Sequence, residues 1–155
     1  MEISADLIAQ LENAPDDYAA ALKGASSDAL TRRPDEKNWA PVEIICHNRD
    51  VEESYLGRFK AILEVEGFKF QTADADRWAQ ERQYLRNDAI QAMSAFRARR
   101  KDTLEFLKTL EPEQLERTGI HPRLGRKTLA ELAQGLSGHD ANHLDQLKRS
   151  LAGKA

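Results

Sequence analysis

The sequence predicts an all-α protein, a four-helix bundle built by one domain over residues 1–155. Apolar residues recur at three- and four-residue steps through four separate segments, the signature of helices that each bury one face. Most of the glycines and prolines fall between those segments. Charged residues make up 32% of the chain and aromatic residues only 6%, which suits helices with solvated outer faces. At this length the chain can bury about two-thirds of its unfolded surface, so neither a disulfide nor a metal is needed merely to hold it together.

The first helix is expected from about Ser4 to Lys23, with Leu7, Leu11, Ala14, Tyr18 and Leu22 on one side, a bend at Pro15 and a stop at Gly24. Pro41 opens the second at its first position, where a missing N–H does no harm; the helix is expected to reach about Glu66 and to close at Gly67. Its buried stripe reads Ile44, His47, Val51, Tyr55, Phe59 and Ile62. Residues Phe68 to Leu85 read as an irregular crossing segment with a short helical turn. Asn87 and Asp88 then cap a third helix carrying Ile90, Met93, Phe96, Leu104 and Leu107, which ends before Pro112. Arg117 to Lys127, with Gly119, Pro122 and Gly125, reads as a turn or small hairpin, and Thr128 with Glu131 forms a capping box for the last helix. Long connections after the first two helices favour a bundle in which some neighbours run parallel.

The last helix carries the chemistry. Its stripe reads Leu129, Leu132, Leu136, then His139 and His143, then Leu147 and Leu151, so two imidazoles stand where leucine is expected. One helical turn separates them by ~6 Å along the axis, close enough to share one metal ion. His47 occupies an equivalent inward position on the second helix. Burying three imidazoles without a shared purpose means satisfying six ring nitrogens in a low-dielectric space, and each unmet partner costs stability.

The charge balance narrows the partners. A net charge of −3 offers no global field for nucleic acid or an anionic membrane, and no stretch approaches the length of a membrane span. The run Arg97-Ala-Arg-Arg-Lys101 is followed by Asp102 and Glu105 and lacks interleaved aromatics, so a nucleic-acid partner is not expected. The start, Met-Glu-Ile-Ser-Ala-Asp, lacks the pattern of a secretory signal, and a single cysteine, Cys46, agrees with a reducing compartment; the protein is expected in the cytoplasm. Cys46 sits ~100° round the helix from His47 and reads as a packed small hydrophobe.

Trp39 followed by Pro41, Glu43 and His47, then Trp78, then His121-Pro-Arg-Leu-Gly125 before Thr128-Leu129, and finally His139-Asp-Ala-Asn-His143 with Gln146-Leu147, resemble the DinB-like metal-binding bundles over nearly the whole chain. The resemblance implies a four-helix bundle of up-down-down-up order, a divalent ion held by His47, His139 and His143, and often a homodimer. Members of that superfamily are compared with bacterial low-molecular-weight thiol transferases and isomerases acting on bacillithiol, mycothiol or glutathione. The chain departs from the pattern at Ala40, where a Ser or Thr N-cap is common, so the cap hydrogen bond has to come from elsewhere.

Three neutral imidazoles leave open positions on Zn²⁺, Ni²⁺ or Fe²⁺, which is what separates a catalytic site from a closed structural one. Such a site suits thiol transfer and hydrolysis alike; the resemblance makes metal-dependent thiol S-transfer on a small molecule the leading expectation. A metal-dependent hydrolase and a non-enzymatic metal- or small-molecule-binding bundle are the alternatives. Glu43, four residues before His47, is the candidate proton relay, with a helix-start charge as its plainer role. His121 and Arg123, in a loop that also carries Arg117, Arg126 and Lys127, are candidate substrate contacts, against the plainer reading of a solvated turn. Asp50 and Asp140 are weaker candidates for supporting the ligands.

Overall fold

The computed structural model describes residues 2–155. Four long helices form the bundle: α1 (Ala5–Leu22), α3 (Pro41–Glu64), α5 (Ala89–Lys108) and α7 (Leu129–Leu151). Shorter pieces connect them: α2 (Ser27–Thr31), α4 (Ala75–Glu81), a 3-10 turn at Tyr84–Arg86, and α6 (Pro112–Leu115). Three strands, β1 (Phe68–Lys69), β2 (Thr118–His121) and β3 (Gly125–Thr128), make a sheet in the order β1-β2-β3.

Two apolar clusters reveal the helix directions. One joins Tyr18 near the end of α1, Val42, Ile44 and Ile45 at the start of α3, Ala92, Met93 and Phe96 from the first half of α5, and Leu147 near the end of α7. The other joins Leu7 and Leu11 at the start of α1, Phe59 and Ile62 near the end of α3, Leu104 and Leu107 near the end of α5, and Leu129 and Leu132 at the start of α7. Hence α1 and α7 run one way and α3 and α5 the other, the up-down-down-up order. Neighbours α3 and α5 are parallel because a crossing segment of some two dozen residues joins them.

Local chemistry explains most helix boundaries. Ser4, Asp88 and Thr128 each cap a bundle helix by accepting the backbone N–H three residues on. Ala40 has no such oxygen; instead Glu43 Oε1 accepts the Ala40 N–H at 3.0 Å. α3 ends at Glu64, and Gly67 follows with φ +74, the left-handed turn that the glycine supplies cheaply. α1 runs unbroken through Pro15, whose missing N–H leaves the Leu11 carbonyl free for another donor.

The placement of Ile90 and the extent of the hairpin differ from the sequence reading, and of the capping box expected at Thr128 only the half in which Thr128 accepts from the Glu131 N–H forms. Ile90 is 78% exposed, because Ala89, Ala92, Met93 and Phe96 take the inward positions and Ile90 lies ~100° round from Ala89. The hairpin between α6 and α7 is extended by β1, which pairs parallel to β2 with Phe68 opposite Gly119. Gly119 allows this: a Cβ there would come within 2.7 Å of Ile62 Cδ1 and 2.9 Å of Phe70 Cε1. No helix among the described residues is long and apolar enough to cross a membrane.

Candidate metal centre

α3 and α7 bring His47, His139 and His143 together between the two apolar clusters. The ring centroids are 5.1 Å apart for His47 and His139, 4.6 Å for His47 and His143, and 4.3 Å for His139 and His143. Nε2 of His47 and Nε2 of His139 face each other at 3.1 Å. Two ring lone pairs that close repel unless a proton or a cation sits between them. One ligand atom from each of the three residues lies within 4.8 Å of the other two. Ligands of a tetrahedral ion with metal–nitrogen bonds of ~2.1 Å stand roughly 3.4 Å apart, so small ring rotations close the set.

Burial keeps the rings in the ligating form. His47 is held down to about 3 by burial, with the neighbouring His143 adding to the effect. His139 is lowered to about 2, again chiefly by burial, then by His143, His47 and Arg100. His143 is lowered by burial, against an opposing hydrogen bond to Gln146. All three are neutral at pH 7 and offer lone pairs to a cation without first losing a proton.

One tautomer is fixed by a neighbour. Gln146 Oε1 lies 2.7 Å from His143 Nδ1, and an amide oxygen only accepts, so Nδ1 carries the proton and Nε2 keeps its lone pair. Trp39 walls the site, its ring 4.9 Å from that of His47 and stacked 6.4 Å from that of His143. Ser150 donates to the Trp39 carbonyl at 2.8 Å and fixes the wall to α7. His47 is buried, while His139 and His143 are half-buried and keep one side of the site open to solvent.

The profile of the DinB superfamily matches residues 10–147. The chain belongs to the DinB superfamily. Among solved structures, this DinB-superfamily chain superposes on YfiT from Bacillus subtilis, described as a probable metal-dependent hydrolase with an unusual four-helix bundle topology. The TM-score is 0.86 at 21% identity, and the match covers 96% of this chain and 88% of that one. At that identity the likeness concerns the fold. No curated protein matches the sequence.

The remaining candidates lie elsewhere. Glu43 is not hydrogen-bonded to His47: its carboxylate accepts from Arg33 Nε at 2.7 Å, from Arg33 Nη2 at 2.6 Å and from the Ala40 N–H, a capping and ion-pairing role. Asp50 faces Arg49, Arg82, Arg99 and Tyr84. Burial pushes its carboxyl up, but the hydrogen bonds from Arg49, Tyr84 and Arg82 outweigh that and hold it at about 2. Cys46 is fully buried and its thiol is pushed up to about 11 by burial, so it is a packing group. His121 Nδ1 accepts the N–H groups of Arg123 and Leu124 at 3.0 and 3.1 Å, closing the hairpin turn, and its ring stands nearly perpendicular to that of Phe70 at 5.6 Å. Neither His121 nor Arg123 joins the histidine cluster.

Beside the triad, the core holds a charge network that the sequence reading missed. Arg100 is 1% exposed and uses all five of its N–H groups: Nε and Nη2 bind Glu52 at 2.8 Å, Nη1 and Nη2 bind Asp140 at 2.8 and 2.9 Å, and Nη1 also binds the Leu11 carbonyl at 2.8 Å. That carbonyl is the one freed by Pro15. Tyr18 Oη donates to the Asp140 backbone carbonyl at 2.6 Å, tying α1 to the residue after His139. The signal was present in Arg100 itself, the residue of its basic run that falls on the stripe Phe96, Arg100, Thr103 and Leu107.

Proposed function

We propose that this DinB-superfamily protein is a divalent-metal-dependent enzyme of the low-molecular-weight thiol S-transferase type, with His47, His139 and His143 as the metal ligands. A divalent ion held there supplies a Lewis acid that lowers the pKa of a thiol or water entering an open position. Zn²⁺, Ni²⁺ and Fe²⁺ all suit imidazole donors. Trp39 bounds the site, and Gln146 holds His143 in its ligating tautomer.

The observation that carries the thiol reading is the engagement of the nearby carboxylates. Glu43 is bound by Arg33, Asp50 by three arginines and Asp140 by Arg100, so none is poised to take a proton from water. A thiol needs less help, because its pKa of about 8.5 already lies close to neutrality. A metal-dependent hydrolase is the second reading, favoured by the fold shared with YfiT and its description. The same proposal has the protein acting on a small molecule, as a cytoplasmic homodimer, with no nucleic-acid or membrane partner.

Elemental analysis of protein purified without an affinity tag tests the site. About one divalent ion per chain is expected, with His143→Ala losing it while keeping its helical circular dichroism; stoichiometric metal in that variant rejects His143 as a ligand. Titration of the Co²⁺-substituted protein with a panel of thiols tests the reaction class. A thiol that shifts the d–d bands supports transfer, and no shift with any thiol favours the hydrolase.

A further inference from the structure

Arg49, Arg58, Arg99, Arg100 and Arg117 are the arginines that the fold buries or half-buries. Four of them face carboxylates: Arg49 and Arg99 meet Asp50, Arg100 meets Glu52 and Asp140, and Arg117 meets Glu66. Arg58 faces none. Its guanidinium lies 5.3 Å from the centre of the Tyr55 ring and 4.9 Å from that of Phe70, and its one hydrogen bond is a long 3.5 Å contact to the Gln71 carbonyl. Partial removal from water without a counter-charge costs free energy that the two rings only partly offset, and an anion beside the guanidinium would recover it. Burial accordingly lowers the Arg58 pKa.

Its place relative to the histidines gives the cation a purpose. Eleven residues separate His47 from Arg58, ~20° past three full helical turns, so both side chains leave α3 on the same face. Helical side chains lean toward the N-terminus, and Arg58 rests on Tyr55, whose backbone lies ~12 Å along the axis from that of His47. Val51 and Tyr55, both half-buried, lie between. Across on α7, Gly135 stands one turn before His139, and a Cβ there would lie 4.0 Å from the Tyr55 hydroxyl oxygen. One half-buried strip thus runs from the histidines past Tyr55 to Arg58, ending where Phe70 meets the His121 ring. Burial, together with Arg58 and Arg123, lowers the pKa of His121, so that ring is not a second permanent cation at the end of the strip.

We propose that Arg58 binds the carboxylate of an extended small-molecule acid whose reactive group lies at the histidine triad. Tyr55 and Phe70 hold the guanidinium in place, and the axial offset of ~12 Å between His47 and Tyr55, on which Arg58 rests, gives the scale of the substrate. The proposal rests on the metal-centre reading, which it deepens by naming a substrate class.

Titration of the Co²⁺-substituted protein with ω-mercaptooctanoate and with ω-mercaptooctanol, two thiols of equal length, separates the charge from the chain. The acid is expected to bind about 10- to 100-fold more tightly than the alcohol, the range of a charged hydrogen bond. In Arg58→Met, which keeps the stem against the rings, that preference is expected to vanish while cobalt stoichiometry and affinity for the alcohol stay unchanged. In Arg58→Lys it is expected to persist in weakened form. Equal affinity for the two thiols in the unmodified protein overturns the proposal without any variant, and so does an undiminished preference in Arg58→Met. If neither thiol perturbs the cobalt spectrum, the thiol reading falls, and calorimetric titration with octanedioate decides Arg58 separately. Saturable heat that is lost in Arg58→Met upholds the carboxylate site; heat equal in both proteins, or absent from both, overturns it.

Discussion

Replacing Arg100 by Met removes a cation from the middle of the bundle while nearly keeping its volume. Its two carboxylate partners stay behind, Glu52 at 1% and Asp140 at 8% side-chain exposure, together with the Leu11 carbonyl that Pro15 leaves without a helical donor. Removing one side of a buried ion pair costs about 3–5 kcal/mol, and an orphaned buried carbonyl adds about 1–3 kcal/mol. A loss of about 5 kcal/mol is therefore expected at pH 7, which is a third or more of the stability of an ordinary domain. Two carboxylates facing each other in a low dielectric take up protons, so in the variant their pKa values rise in the folded state above the unfolded value of about 4. A carboxyl raised in that way favours folding below its unfolded pKa and loses the contribution as pH rises through the folded one. The deficit is therefore expected to shrink between pH 7 and pH 5. Urea unfolding followed by circular dichroism measures both values. A deficit below about 1 kcal/mol at pH 7, with an unchanged denaturant slope, would refute the claim that Arg100 holds the two acids in place.

Two further outcomes follow from the site. For the metal-free protein, each buried imidazole has a folded-state pKa below its unfolded value of about 6.5, so its contribution is intact above that value and is lost as pH falls toward about 3 for His47. Each such group then weakens the fold by about 1.4 kcal/mol per pH unit through that window, and urea midpoints at pH 7.5 and 5.5 are expected to differ clearly. Asp50, held at about 2, loses its contribution only below its unfolded value of about 4, outside those two conditions, so a flat profile between them would contradict the burial of the rings. Glu43→Gln is expected to cost about 1 kcal/mol through its weakened pairing with Arg33 and to leave metal content and thiol response unchanged. A loss of turnover of about 100-fold with metal retained would instead make Glu43 part of the chemistry.

The bundle was legible because each long helix carries a strong apolar period and a local stop. Pro41 and Thr128 mark the starts of α3 and α7, and Gly67 marks the turn after α3. The histidine cluster was legible for the same reason, since polar residues on an apolar stripe stand out. Strand β1 was not: a two-residue strand has no period, and its pairing depends on Gly119, some fifty positions away. Ile90 was misplaced because Ala89, which carries little hydrophobic signal, takes the inward position beside it. The destination of Glu43 was equally hidden. Its spacing from His47 was visible, but Arg33 reaches it from a connection with no regular pattern.

The bundle divides into apolar ends and a polar middle, and that division links the charge network to the histidine triad. Each end is a hydrophobic cluster to which all four long helices contribute. Between them lie the three histidines and the assembly of Arg100, Glu52, Asp140 and Tyr18. His139 and Asp140 are adjacent on α7, so one helical segment presents a ring toward α3 and a carboxylate toward α5. Because Arg100 grips that carboxylate with two N–H groups and Glu52 with two more, α7 is held in rotation and register relative to α3 and α5. Hydrophobic packing alone tolerates small shifts of a helix. Three ring nitrogens that are to share one ion would not, since displacements of about 0.5 Å spoil coordination. In this arrangement the buried ion network acts as a positional device for the histidine triad, and its net negative charge would also suit a divalent cation held there.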